Sequence, residues 1–300
     1  MTQRRQSLLS DVPRDATGLG GEFADERATL NGTTIHYVRG GQGPAVILIH
    51  GFPQDWSEYR VIMPRLAKHF KVVAIDLPGI GGSTTESAGY DAAKIAEDVR
   101  QLMRALKLER AYIVGHDIGG MVAYAFIRRY PESSLGAMIL DQVLPGIDGW
   151  KEIEGHPAVW HIRFMQIPGL PEALVADRQA QYLGYFLNFG KFKKNEVKEA
   201  ISAYATRAQL HAAFEAYRAF PANGEFNTAH TEPLAVPVYL AAGDASPFAN
   251  LLPRIADGLR AKGCSDVKTS VIADCGHYVI ADQPSAVADL IERFAGARRA

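Results

Sequence analysis

Val114-Gly115-His116-Asp117-Ile118-Gly119-Gly120 decides how the rest of this 300-residue chain is read. Ahead of it, Ala111-Tyr112-Ile113-Val114 is an apolar run that ends a buried strand. Behind it, Met121 to Tyr130 is apolar, aromatic and basic with no breaker before Pro131, the pattern of a helix. A strand, a tight glycine-flanked turn and a helix put Asp117 on the corner. That is the layout of a nucleophile elbow, with aspartate where serine usually sits. The small residues allow the turn. The corner is expected to be strained and exposed, and the helix N-terminus behind it favours an ionised carboxylate. On this heptapeptide alone, an aspartate capping a helix in a doubly wound fold fits as well.

Working outward, Ala28-Thr29-Leu30 and Thr34 to Val38 flank Asn31-Gly32, a hairpin signal. Ala45-Val46-Ile47-Leu48-Ile49 is a continuous apolar run, the mark of a central strand buried on both faces, and it ends in His50-Gly51-Phe52-Pro53. Residues 57–68 read as a short helix. Lys71 to Ile75 is a strand that ends at Asp76 and a Gly/Pro-rich loop, and Asp91 to Leu106 is an amphipathic helix. After the elbow, Leu135 to Leu140 is a further strand ending on Asp141. The alternation predicts an α/β fold with a mostly parallel sheet and helices on both faces. Its candidate residues stand at the carboxyl ends of strands, where such sheets place their sites.

From Gln142 the rhythm changes. Residues 142–230 hold helical segments, Ala158 to Gln166, Asp177 to Phe186, Glu196 to Thr206 and Gln209 to Ala219, with no convincing strand. Pro168, Pro171, Gly184, Gly190 and Pro221 divide them. This predicts a helical cap set into a core of residues 23–141 and 231–300, with residues 1–22 as an N-terminal arm. The core resumes with a strand over 236–244 that ends at Asp244, a helix from Leu251 to Leu259, a strand from Val267 to Ile272, the loop Ala273-Asp274-Cys275-Gly276-His277-Tyr278, and a closing helix over 284–296.

Composition narrows the function. Charged residues make up 22% and leave a formal net charge of -1, which argues against a general nucleic-acid surface. The two cysteines, Cys264 and Cys275, exclude a disulfide scaffold and favour a cytosolic-type chain, with periplasmic export left open. Arg4-Arg5 before Leu8-Leu9 faintly suggests an export signal, but Asp11, Pro13, Arg14 and Asp15 interrupt the apolar stretch it needs. No apolar run is long enough to span a membrane. No cysteine and histidine spacing points to a zinc site, so no metal is expected.

Four groups carry the candidate chemistry. Asp117 is the nucleophile candidate. His277 follows the last strand, where the base of a Ser/Asp–His–acid triad comes in chain order. Asp141 and Asp244 both stand where an acid could fix the tautomer of that histidine. The backbone N–H groups of Phe52 and Ile118 make an oxyanion hole. His50 is expected to brace its loop through hydrogen bonds, and Asp76 to cap the Leu77–Gly82 loop.

With these residues the chain resembles, over roughly residues 25–297, the α/β-hydrolases of the epoxide hydrolase and haloacetate or haloalkane dehalogenase branch. The resemblance lies in His50-Gly51-Phe52-Pro53, the aspartate elbow and Gly276-His277-Tyr278. It implies a cofactor-independent enzyme. A carboxylate attacks a saturated carbon, and a histidine-activated water then hydrolyses the alkyl ester. Phe214-Glu215-Ala216-Tyr217-Arg218 is similar to the segment carrying a ring-opening cap tyrosine, which implies Tyr217 as a donor. Trp160-His161 is similar to a pair early in the cap of fluoroacetate dehalogenases and of the Cif-like epoxide hydrolases, which implies His161 as the second donor. The cap aromatics Phe164, Met165, Tyr182, Tyr185 and Phe186 are expected in the pocket wall or cap core. The same likeness favours Asp141 as the orienting acid, with Asp244 as the alternative. The arginines that fluoroacetate dehalogenases carry behind the nucleophile are replaced by Ile118 and Met121, and their halide-binding tryptophan by Ile162. A small apolar epoxide and water are therefore the expected substrates; the sequence does not give the oligomeric state, and the homodimer enters only through the resemblance, since related enzymes are often dimers. Haloacid or haloalkane dehalogenation is the alternative chemistry, and a non-catalytic ligand-binding protein the alternative class.

Overall fold

The computed structural model describes residues 16, 19–20, 23–30, 32–85 and 89–296. The expected N-terminal arm lies almost wholly outside these residues, as does Asn31 of the hairpin turn. Nine strands form one sheet in the order β1 (Phe23–Leu30), β2 (Thr33–Gly40), β4 (Lys71–Ile75), β3 (Ala45–Ile49), β6 (Ala111–His116), β7 (Ser134–Leu140), β8 (Val238–Gly243) and β9 (Val267–Ile272). The two-residue β5 (Thr84–Thr85) pairs with β2. β1, β2 and β4 pair antiparallel, and every step from β4 to β9 is parallel. The protein therefore has the α/β-hydrolase fold.

The centre of the sheet follows from composition. Every residue of β3 and of β6 is buried, as expected of strands covered by helices on both faces. Each buried Ile or Val there contributes about 1.5–3 kcal/mol of apolar transfer. The amphipathic helix Ala92–Ala105 covers one face, starting at Asp91, whose carboxylate accepts the Lys94 N–H at 2.9 Å. The closing helix Pro284–Gly296 covers the other.

One helical expectation changes. Residues 57–68 do not form one helix: a 3-10 turn, Trp56–Tyr59, is followed by the short helix Met63–Leu66, because Pro64 can only enter at a first turn. Pro221 divides helices as expected, and it does so from the first turn of the second one: Arg207–Arg218 ends just before it, and it is the second residue of Phe220–Ala229.

Between β7 and β8 the described residues form helices and turns, apart from an isolated bridge of Leu234 to Cys264. His161–Gln166, Gln179–Leu187, Lys194–Ser202 and Arg207–Arg218 match the expected segments within a few residues, and Trp150–Glu154 and Leu170–Val175 are additional. This helical insert is the cap. It is tied to the core by Arg60, which donates to both carboxylate oxygens of buried Glu199, by Tyr204 Oη to the Gln54 carbonyl at 2.8 Å, and by Gln209 to the Gly81 carbonyl at 2.9 Å. Among the described residues, no helix is long and apolar enough to cross a membrane.

Candidate active site

The elbow is tight enough to require its glycines. A Cβ on Gly115 would lie 1.9 Å from the Gly119 carbonyl oxygen, and one on Gly119 would lie 2.2 Å from that of Ile49. Asp117 takes φ 49°, a conformation L residues avoid, at the start of helix Ile118–Arg129. The corner is strained as expected. It is not exposed, because the cap covers it.

The Asp117 carboxylate is asymmetric. Oδ2 accepts the Phe52 N–H at 3.2 Å and lies 3.8 Å from His277 Nε2. Oδ1 accepts from Gln142 Nε2 at 2.7 Å. Gln142 Oε1 in turn accepts the Val143 N–H at 2.8 Å, which fixes which way the amide faces. Burial opposes ionisation of Asp117, but its charge contact with His277, the His116 ring and the Phe52 N–H outweigh it, and its pKa falls below the ordinary aspartate value. Ile118 is the first residue of the helix that follows Asp117, where backbone N–H groups have no intrahelical acceptor.

Two aspartates were candidates to sit behind His277, and the structure separates them. Asp141, fully buried at the end of β7 with φ 48°, has Oδ1 3.6 Å from His277 Nδ1. Ser246 Oγ donates to Oδ1 at 2.5 Å and the Gly243 N–H to Oδ2 at 3.3 Å. Asp244 instead accepts the N–H groups of Asp274 and Cys275, both at 3.0 Å, and so holds the loop that leads to His277. Burial disfavours the His277 cation, but the Asp117 and Asp141 carboxylates more than offset it and raise its pKa to about 10.

From the cap, His161 and Tyr217 reach the same cavity, with ring centroids 5.9 Å apart. Burial lowers the His161 pKa to about 4, despite the pull of Asp117, so its imidazole is neutral near pH 7. Its Nδ1 is buried with no hydrogen-bond partner among the described residues. Burial, reinforced by the Asp117 charge, raises the Tyr217 pKa well above the ordinary phenol value, so its hydroxyl stays a donor. The cavity measures about 410 Å³ and is walled mainly by apolar side chains, among them Trp150, Ile162, Phe186, Phe220 and Phe248. Asp117, His161 and His277 are its titratable groups apart from tyrosines, and no Lys or Arg lines it. Tyr185 and Phe186 face the cavity. Met165, Phe164 and Tyr182 pack in the cap, where the Tyr182 hydroxyl is buried without a partner.

His50 braces its loop as expected: Nδ1–H donates to the Gly51 carbonyl at 2.9 Å and Nε2 accepts the Leu77 N–H at 3.0 Å. Asp76 accepts the Gly82 N–H at 2.7 Å and also the Trp56 N–H at 2.8 Å. Elsewhere, Glu172, His211 and Glu215 bring ligand-type atoms within 4.8 Å of one another. Arg218 lies 2.7 Å from both carboxylates, so that cluster reads as an ion-pair network on the cap rather than a metal centre.

A strand–elbow–helix with an acid and a histidine at neighbouring strand ends is found with a matching family model: residues 44–284 fit the alpha/beta hydrolase fold. The chain belongs to this family. It is 28% identical over 285 residues, 91% of this chain and 97% of the relative, to a soluble epoxide hydrolase of Corynebacterium sp. (strain C12). It is 34% identical over 211 residues, 66% of this chain and 69% of the relative, to a fluoroacetate dehalogenase of Burkholderia sp.. Among solved structures, Cfl2 of Burkholderia cenocepacia superposes with a TM-score of 0.83 at 30% identity, over 94% of this chain and 98% of that one. The epoxide hydrolase CorEH superposes with a TM-score of 0.83 at 27% identity, over 93% and 100%. The α/β-hydrolase described here is thus a hydrolase of the epoxide hydrolase and dehalogenase branch.

Sequence reading missed Gln142, Glu58 and the role of His116. Gln142 had a usable signal, a polar residue at the carboxyl end of a strand directly after Asp141. Glu58 had none, because only the fold brings it beneath the elbow.

Proposed function

We propose that this α/β-hydrolase is an epoxide hydrolase that works through a covalent ester on Asp117. One observation carries the reading. An ionised carboxylate with one oxygen on the Phe52 N–H faces an apolar cavity whose opposite wall offers a neutral histidine and a protonated tyrosine. Oδ2 rests on the oxyanion donor, which leaves Oδ1 as the attacking atom. Oδ1 forms a bond to an epoxide carbon as the carbon–oxygen bond of the ring breaks, and Tyr217 and His161 stabilise the departing oxygen and supply its proton. His277 Nε2 then takes a proton from water. The hydroxide adds to Cγ of Asp117, and the negative oxygen rests on the N–H groups of Phe52 and Ile118. The proton that His277 carries in the free enzyme has by then passed through solvent to the cap donor that gave one up, and collapse releases the diol, restores the carboxylate and leaves His277 protonated again.

The elevated pKa of His277 fits this order. In the free enzyme its cation is held between two carboxylates. Esterification removes the Asp117 charge, and with it much of what raises the pKa, so the imidazole becomes a competent base only once there is an ester to hydrolyse. Asp141 holds the other ring nitrogen.

The cavity favours an epoxide over a haloacid. A carboxylate-bearing substrate would enter beside Asp117 with no Lys or Arg in the wall to neutralise it. A cavity of about 410 Å³ is also within the range of ligands much larger than a two-carbon acid. The 34% identity to a fluoroacetate dehalogenase keeps dehalogenation as the second reading, and chloride or fluoride release with haloacids and haloalkanes tests it directly.

The decisive experiment is trapping. D117A is expected to abolish diol formation. H277Q is expected to accumulate protein whose mass has grown by that of the epoxide. Full turnover by D117A, or no adduct with any epoxide or haloalkane, would sink the shared mechanism.

A further inference from the structure

Beneath the elbow runs a buried polar chain that the reaction above does not use. His116, the residue before Asp117, has no solvent exposure. Its Nε2 lies 2.8 Å from the backbone carbonyl of His277. A carbonyl only accepts, so Nε2 carries the hydrogen. Its Nδ1 lies 2.8 Å from Glu58 Oε1, off the axis of a well-aligned hydrogen bond but at ion-pair distance. Glu58 Oε2 accepts the N–H of Gly51 at 3.0 Å. Gly51 adjoins Phe52, the oxyanion donor. One buried Glu–His pair therefore ties together the loop that carries Phe52 and the loop that carries His277.

The tie matters because, among the described residues, no side chain lies within hydrogen-bond distance of the nitrogens of the His277 ring. Its nearest carboxylate oxygens stand at 3.8 and 3.6 Å. Its position is set by the backbone anchors of its loop, and among the described residues the His116 bond is the side-chain bond that reaches His277 itself, whose carbonyl also accepts the Val279 N–H at 2.9 Å. The His116 ring also packs against that of His277, with centroids 4.8 Å apart.

We infer that Glu58 and His116 are positioning residues for ester hydrolysis and not for ester formation. The inference rests on the covalent reading above. Hydrolysis needs His277 Nε2 and the Phe52 N–H at a fixed separation around Cγ of Asp117. Formation needs Oδ1, which Gln142 holds, and the donors of the cap. A shift of the His277 loop against the Phe52 loop harms the first and spares the second.

Single-turnover reactions with styrene oxide, quenched in acid and followed by intact mass, test this. H116L removes the tie, and the structure leads us to expect ester breakdown slowed about tenfold or more with formation within about threefold of the parent. H116Q places an amide N–H where ring Nε2 stood and should recover most of the breakdown rate. E58Q keeps the size of the side chain, should show the same selective slowing, and covers the case in which H116L does not fold. Equal slowing of both steps, slowing of formation alone, or no recovery by H116Q overturns the proposal. Absence of any ester in the parent and in H277Q alike overturns the covalent reading and this proposal with it. Ester present with an unchanged partition between the steps overturns the strut alone.

Discussion

Two buried histidines flank the cavity floor and roof, and they are tuned in opposite directions. His116 comes from the core and His161 from the cap, and burial works against the charged form of both. For His116 the Glu58 carboxylate outweighs that cost, and its pKa rises above the ordinary value. His161 packs edge-on against Phe186 and Tyr217, has no carboxylate in contact, and falls to about 4. The difference is the partner and not the depth. Below Asp117 the site is organised by paired charge: Glu58 with His116, and Asp141 with His277. Above it the site is neutral and aromatic, fit to lend hydrogen bonds to a developing oxyanion without adding a fixed charge. The proposed reaction divides along the same plane, with ester formation drawing on the cap and ester hydrolysis on the core.

The heaviest blow to this division should come from the core. D141N removes the carboxylate behind His277, and kcat is expected to fall by roughly 10²–10⁴, the range seen when the acid of a nucleophile–histidine–acid triad is neutralised. D244N should leave kcat within about threefold of the parent and lower the melting temperature modestly, because Asp244 anchors the backbone at Asp274 and Cys275. Steady-state diol formation and a melting curve on each variant check this. A larger activity loss in D244N than in D141N would break the assignment of Asp141.

A smaller effect is expected from the roof. Y217F deletes one of two donors to the opening oxygen while His161 remains. Ester formation should slow by about 10–100-fold, below the full range for a general acid, and ester breakdown should not change. The two rates are separable by following adduct mass under single turnover. Equal slowing of both steps would show that the cap also governs hydrolysis.

Legibility in the sequence followed the same plane. The core was readable because its strands are continuous apolar runs and its chemistry sits on glycine-marked turns: β4 and β9 lie where the sequence put them, and Asp117, Asp141 and His277 converge. The choice between Asp141 and Asp244 was not readable. Both follow strands, and only the path of the 273–278 loop shows that Asp244 turns toward backbone N–H groups. Helix boundaries in the cap drifted by a few residues because proline punctuates without saying on which side it acts: Pro221 stands inside the first turn of one helix, just after the preceding one has ended. Glu58 was invisible because it lies in a 3-10 turn and its partner lies 58 positions along the chain, at the end of β6.

The last and smallest effect lies in how the two histidines respond to acid. In the folded state the His161 pKa is depressed to about 4, below the 6.5 of an unperturbed histidine. Its stabilising contribution is therefore fully present above pH 6.5. As pH falls toward 4 the unfolded chain takes up a proton that the folded chain refuses, and that contribution is lost. After discounting for water in the cavity, the loss is roughly 1–2 kcal/mol, a few degrees of melting temperature. H161Q should flatten this part of the stability profile. His116 has the opposite sign: its pKa is raised, so its contribution is complete below 6.5 and is lost only as pH rises through the raised value. H116Q should therefore leave the profile between pH 6.5 and 4 as steep as in the parent while lowering it throughout. Thermal melts of the parent and both variants across that range measure it. If H161Q keeps the full acid slope, the roof histidine is not neutral, and the contrast between the two sides of Asp117 fails at its cap end.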